Sequence, residues 1–432
     1  MSPADRLLPA LQGASEELAR HGVRFEVFAR LGESAHLVRD QDGVLERRTT
    51  RELGVACRVS GGGRAGFAAA AGGAARAGRQ AALAALDGLL PAPDPLPPRT
   101  LLGSSGSALE HPAADPAAQE TFAQELAKAF AAAPGRAVLV QVRLLTGTST
   151  AALATGEGFH ARAHAGGSVV ELLVAPPEGP WRHFHFAAPT LADLRPDELT
   201  RRAVEASLLA TTGGAPERQL ADVLLSPAVA APLVVALAQH LAHEPADDAW
   251  ARIRVAPAWH LVDERPGPTG LLPLPWDGEG LPARRLVLAS GGRLRERFAT
   301  WELSQRTGLQ PGGAVRPSYR HPPAPGPANL VVLAETAVSQ PELLRLLDTG
   351  FYLAVPAGPV RVDPASGRFA LRAAAVGVRN GRPTSPHALV ELRGSFPRLL
   401  RGLAATGGDS ESFSLAGAVT TPSLLVRRLE VA

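Results

Sequence analysis

The chain has one cysteine, Cys57, which excludes an internal disulfide and any multi-cysteine zinc site. It also has one lysine, Lys128, so arginine carries almost all of the positive charge. The 44 Lys+Arg oppose 41 Asp+Glu, leaving a formal charge of +3, and the isoelectric point near 9.7 reflects the guanidinium group more than an excess of cations. Aromatic residues make up 5% of the chain and no run interleaves them with arginines, so a nucleic-acid surface has no support. No window reaches the roughly 18 consecutive apolar residues of a membrane span. The first helix carries Asp5, Arg6, Glu16, Glu17 and Arg20 where a signal peptide has an apolar core, and the expectation is a cytoplasmic protein.

What is present is ordinary globular composition: 45% hydrophobic and 20% charged residues, with a mean hydropathy of +0.03. The 432 residues predict two or three domains at roughly 100 to 200 residues each. Ser2, Pro3 and Asp5 read as a helix start ahead of Leu7, Leu8, Leu11 and Leu18. Short alternating segments near Phe25–Phe28, Ala35–Val38, Val44–Arg48 and Val55–Val59, divided at Gly32 and Asp42-Gly43, predict a strand meander. An Ala-rich helix follows at 74–90, and the prolines of 91–98 mark a linker or domain edge because each lacks an N–H and restrains its predecessor. A second unit has helices near 116–132 and 196–210 around strands near 137–144, 149–154, 159–164, 168–175 and 181–186. From Gln219 a strand, a helix opened by Ser226-Pro227 and many short strands follow. The expected domains are an N-terminal α/β unit (1–98), a middle α/β unit (99–214) and a β-rich C-terminal unit (215–432), an α+β chain overall. Ala, Gly, Pro and Arg are abundant in the manner of a genome bias, and no period of 20 to 50 residues repeats, so solenoids and propellers lack support.

Twelve histidines call for a metal audit. His183 and His185 share one face of a predicted strand, and His160 and His164 end another; neither pair has a third ligand nearby, and paired surface or cavity histidines explain them. His240, His243 and Glu244 approach a zincin pattern, but Pro245 ends the helix and Asp247 and Asp248 stand where the next histidine belongs. There is no GxSxG or SxxK nucleophile motif, and Cys57 lies in an apolar strand as an inert thiol. Gly61-Gly62-Gly63-Arg64-Ala65-Gly66 follows a strand but precedes another strand, which makes it a hairpin turn and not a phosphate loop. The run Trp276-Asp277-Gly278-Glu279-Gly280-Leu281-Pro282 is more unusual. Two carboxylates spaced by one glycine could orient a peptide backbone or an arginine, or the run could be a rigid turn tying the domain together.

In order along the C-terminal half, several segments resemble the TldD/PmbA (TldE) family. Val223-Leu224-Leu225-Ser226-Pro227 is similar to its "VLSP" entry to a helix, and Trp276-Asp277-Gly278-Glu279-Gly280-Leu281-Pro282 to its "FDDEGVP" signature. Pro327-Ala328-Asn329-Leu330 is similar to "PTNL", Glu342-Leu343-Leu344 with Gly350-Phe351-Tyr352 to "EELI…GLYV", and Val362 to Phe369 to "VNPVTGDFS". Asn380-Gly381 and Pro422-Ser423-Leu424 complete the series, and Gly54-Val55-Ala56-Cys57-Arg58-Val59 with Gly66-Phe67 is similar to an N-terminal "GVAVRV…GFA" stretch. The signature departs from the family in having Asp277-Gly278-Glu279 for two adjacent aspartates, and "DDP" is represented by Asp263-Glu264-Arg265-Pro266.

The resemblance implies a β-rich C-terminal domain with a curved antiparallel sheet facing a chamber. It also implies two kinds of subunit: a TldD type with HExxxH and a later cysteine for zinc, and a TldE/PmbA type without them. Here the helix after Ser226-Pro227 has neither His nor Glu from Ala228 to Leu237, and Ser414 to Val419 stand in the place of the cysteine segment. The implied function is a zinc-free, TldE-like subunit without catalytic or metal residues of its own. It would pair with a zinc-bearing TldD-like partner in a metallopeptidase acting on unfolded or modified peptides, walling the chamber and offering strand edges to extended peptide. Asp277, Glu279, Gly280 and Asn329 are the expected peptide- or partner-contact residues. The alternatives are a stand-alone homo-oligomeric peptide-binding scaffold, and an independent hydrolase using His160, His183 or His185.

Overall fold

The computed structural model describes residues 3, 5–102, 115–158, 160–209, 213–243, 253–266, 274–334, 336–415 and 417–432. Ser2, Glu244, Pro245, Asp247 and Asp248 lie outside them, so the expected first cap and the end of the zincin-like run have no structural counterpart to report. The first regular element is α1 (Leu8–Ala19), and the neighbouring Leu7 offers it no side-chain cap.

The expected N-terminal meander is instead two long strands, β1 (Arg24–Asp40) and β2 (Val44–Gly61). Gly32, expected to be a turn, pairs in register with Glu52 on one side and Ser149 on the other. Its missing side chain leaves the alternation of inward and outward residues intact, so the strand runs through. Asp42-Gly43 does form the hairpin turn, with the Asp40 carboxylate accepting from both backbone N–H groups. The sheet continues through β3 (Arg64–Ala71), β4 (Leu90–Pro91), β5 (Val138–Thr155), β6 (His160–Ala175) and β7 (Arg182–Ala188), in the order β4-β3-β2-β1-β5-β6-β7. Because β1 pairs with both β2 and β5, residues 1–98 and 99–214 share this one sheet.

Four helices cover one face of that sheet. The first, α1, packs with α2 (Ala75–Asp87) over Val27, Leu31, Val55 and Cys57. The other pair, α3 (Pro116–Ala132) and α4 (Pro196–Leu208), packs Phe122, Leu126, Leu199 and Val204 over Leu144, Val170 and Leu172. The first pair touches through glycine: a Cβ on Gly78 would stand 2.0 Å from the Ala10 carbonyl oxygen and one on Gly13 2.4 Å from that of Ala75. Gly78→Val is therefore expected to separate the helices and cost roughly 1–3 kcal/mol, read as a lowered thermal midpoint; an unchanged midpoint would show that the crossing is slack.

The C-terminal half holds two further sheets. In the first, β8 (Gln219–Leu225), β15 (Gly350–Pro356), β17 (Arg368–Arg379), β18 (Arg382–Ser395) and β22 (Leu424–Val431) close on themselves, since β15 pairs with both β8 and β17. The expected curved sheet is thus a ring, antiparallel except for the β8–β15 pair. Strand β16 (Arg361–Asp363) extends it beside β17, and β19 (Leu403–Thr406) beside β22. The second sheet has the order β11-β10-β9-β14-β21-β20, built from β9 (Leu261–Glu264), β10 (Arg285–Ser290), β11 (Arg293–Leu294), β14 (Asn329–Val332), β20 (Glu411–Leu415) and β21 (Gly417–Thr421). A small ribbon pairs β12 (Ala314–Val315) with β13 (Ala324–Pro325).

The apolar helix α5 (Pro227–Ala242) lies in the core shared by these sheets, touching β8, β15, β20 and β21. Ser226 caps it: its hydroxyl accepts from Val229 N at 3.3 Å and donates to the Ala354 carbonyl at 2.8 Å. Short helices α6 (Trp301–Thr307), α7 (Gln340–Leu347) and α8 (Phe396–Gly402) complete the half. No helix among the described residues is long and apolar enough to cross a membrane.

Candidate functional site

The N-terminal sheet's uncovered face meets the C-terminal half at the run that stood out in the sequence. Trp276 and Pro282 close the run as a bridge, and Asp277 organises its interior. One Asp277 oxygen accepts from Glu279 N at 2.9 Å and Leu281 N at 3.0 Å, and the other from Ala314 N at 3.3 Å. Glycine is needed at both spacers: a Cβ on Gly278 would sit 2.8 Å from the Val315 carbonyl carbon, and Gly280 has φ +80°. Burial pushes the Asp277 carboxyl up, against the pull of Arg265 and the three N–H donors.

This turn aims Glu279 at the N-terminal sheet. Its Oε1 accepts from Arg58 Nη1 at 3.2 Å, and its Oε2 from Trp301 N at 2.6 Å, at the start of α6. Arg58 also holds Glu26 through two bonds, Nε at 3.2 Å and Nη2 at 2.6 Å, and donates to the Pro95 carbonyl. Arg316 adds a second cation. Its Nη2 lies 2.5 Å from Glu26, its Nε donates to the Gly278 carbonyl, and its guanidinium stacks 4.3 Å from the Phe28 ring centre. Two acids and two arginines are thus sealed between the halves, each side chain 6% exposed or less. Burial pushes Glu279 up to about 7; Arg58 opposes the shift and Asp277 adds to it. Burial also works to raise Glu26, but Arg58 and Arg316 outweigh it and hold that carboxyl below its usual range. Tyr319 packs beside this cluster so closely on β2 that a Cβ on Gly54 would lie 2.2 Å from its ring.

Asn329 sits in an adjoining buried network. Its backbone N–H donates to Asp263 at 2.6 Å and its side-chain amide to the Glu264 carbonyl at 2.7 Å. The fully buried Asp263–Arg265 pair then fastens the ribbon, Arg265 donating to the Ala314 and Gly326 carbonyls. The structure therefore places all four expected contact residues, Asp277, Glu279, Gly280 and Asn329, in the interior with their polar groups bonded within this chain. Glu26, Arg58, Arg265 and Arg316 were not singled out in the sequence. For Glu26 and Arg58 the signal was faint: a lone charge in the apolar runs Phe25-Glu26-Val27-Phe28 and Ala56-Cys57-Arg58-Val59.

The histidines are dispersed. His183 is exposed, whereas His185 joins two sheet edges: its Nε2 accepts from Ser414 N at 3.3 Å and its Nδ1 faces Glu171 at 3.7 Å. His164 bonds Thr150 at 2.9 Å, and His243 bonds the Gln239 carbonyl at the end of α5. Cys57 is buried, which pushes its thiol up to about 12. The glycine run is a hairpin turn, with Gly62 and Gly63 at positive φ. A zinc ion needs about three N, O or S donors on one side of an open position. The face of α5 toward β20 and β21 offers alanine, valine and leucine, and among the described residues no three His, Cys, Asp or Glu converge, so these residues do not fit the ion.

The family model of the PmbA/TldA metallopeptidase C-terminal domain matches residues 218–432. TldE from Thermococcus kodakarensis superposes with a TM-score of 0.84 at 16% identity, covering 98% of this chain and 100% of its own. A candidate modulator of a DNA gyrase from Thermotoga maritima gives 0.79 at 19% identity, with 98% and 100% covered. Another from Bacteroides thetaiotaomicron gives 0.77 at 15%, with 98% of each covered. No curated protein matches the sequence.

Proposed function

Through residues 218–432 this chain belongs to the PmbA/TldA metallopeptidase C-terminal-domain family, and from that premise we propose that it is the zinc-free, TldE-like member of a two-subunit peptidase. The observation that carries the reading is the chemistry of α5. Its residues from Ala228 to Ala238 include no metal donor, and Ser414 stands in the segment where the resemblance places a cysteine in the zinc-bearing type. The likeness of the whole chain to a TldE supports the same assignment. A zinc-bearing relative would supply the metal and its activated water. This chain would supply a rigid wall: a closed strand ring joined to a seven-stranded sheet by a sealed charge cluster. Its substrates would be unfolded or modified peptides, admitted in extended form and held through backbone hydrogen bonds.

Reconstitution tests the assignment. Mixed with a family member carrying HExxxH, the chain should form a stable complex that cleaves unfolded peptides at least about a hundredfold faster than either subunit alone. Failure to bind any such relative from the same genome, with each subunit folded, would contradict it.

A further inference from the structure

Half of β2 has a neighbouring strand on one side only. Strand β3 pairs with Gly54–Gly61 only, so the outer edge of residues 44–53 is open among the described residues, and nearly all of these side chains are exposed. The Leu53 carbonyl accepts from Gly72 N, which fixes the phase of the strand. Two residues apart from it, Arg51, Thr49 and Arg47 likewise point their N–H and C=O groups away from β1. An edge of this length is a template for another strand.

We propose that this edge pairs antiparallel with the same edge of a second copy, about a two-fold axis at Arg47, joining two seven-stranded sheets into one. The register follows from sterics and charge. A two-fold normal to the sheet keeps facing residues on one face, so the axis falls on or opposite a single residue. Any axis beyond Arg48 drives one copy's hairpin tip into the other's β3. An axis at Arg48 sets Arg48 against itself, and one at Glu46 does the same with that acid. An axis at Arg47 sets Glu46 opposite Arg48 of the other copy, twice, on the uncovered face. The two Arg47 side chains then lie on the helix face, each beside its own Glu120. Among the described residues neither Glu46 nor Arg48 has an ion-pair partner within the chain. Opposite charges directly across a ladder stabilise it and like charges oppose it, so the two Glu46–Arg48 pairs, with each Arg47 held by its own Glu120, favour the Arg47 axis over those at Arg48 and Glu46.

The inference needs only this chain and is independent of the heteromeric reading above. Light scattering on the full chain should give twice 44.9 kDa. Glu46→Arg and Arg48→Glu should each weaken the dimer by about tenfold or more, and the double reversal should return it to within about threefold of the original. Because Cys57 is buried, Arg47→Cys offers one accessible thiol, and mild oxidation should convert it to a covalent dimer. All three positions are exposed, so circular dichroism should show each variant folded. A monomer at ~100 μM, or a dimer indifferent to both single reversals and to oxidation of the cysteine variant, overturns the proposal.

Discussion

Arg58→Met is expected to cost about 3–5 kcal/mol of stability, because it strands buried carboxylates instead of removing a surface ion pair. Glu26 would keep Arg316 alone, and Glu279 would keep only the Trp301 N–H. The side chain lies 6% exposed between the two halves, so the loss should appear as a lower midpoint of denaturant unfolding and as faster amide exchange at 274–282 and along β1. Adding Glu279→Gln should recover part of it, since one stranded charge is then gone. If Arg58→Met unfolds like a surface substitution, the cluster is not what joins the halves.

Glu279→Gln should change how stability depends on pH. The Glu279 carboxyl lies at about 7 in the folded chain against 4.5 ordinarily, because burial outweighs Arg58. The folded state therefore binds this proton more tightly than the unfolded state does. Its contribution is complete below about 4.5 and is lost as pH rises toward and past 7, a change of roughly 3 kcal/mol. Asp277, also raised, acts in the same direction, while Glu26, held low, acts oppositely as pH falls. The difference between wild type and Glu279→Gln isolates the one group. The wild type should lose stability relative to the variant from pH 5 to pH 8, and parallel stability curves for the two proteins would contradict the assignment.

The parts of the fold legible in the sequence were those set by local rules. The helix expected near 116–132 is α3, with Asp115 capping it and Pro116 at its first turn. Asp42-Gly43 and Gly61–Gly63 turn as their residue types require. Gly32 misled because glycine marks both a turn and a strand position without a side chain, and only pairing on both sides distinguishes them. The closure of the C-terminal ring was hidden for a related reason, since β15 finds β8 across a long stretch of chain.

At the site, the sequence drew attention to Asp277 and Glu279, and the rigid-turn reading weighed there matches the bonds they make. The identity of their partners was out of reach: Arg58 lies 221 residues from Glu279, and nothing local to either residue signals the other. That Ala228 to Ala238 of α5 carry no metal donor was legible outright, because a helix displays its chemistry in its own sequence.

That absence is tested most directly by incubating the homogeneous chain with unfolded oligopeptides, once with added zinc and once with a chelator. The account predicts intact peptides in both samples and no zinc retained after dialysis. Digestion that the chelator abolishes, by a preparation free of any zinc-bearing relative, would contradict it.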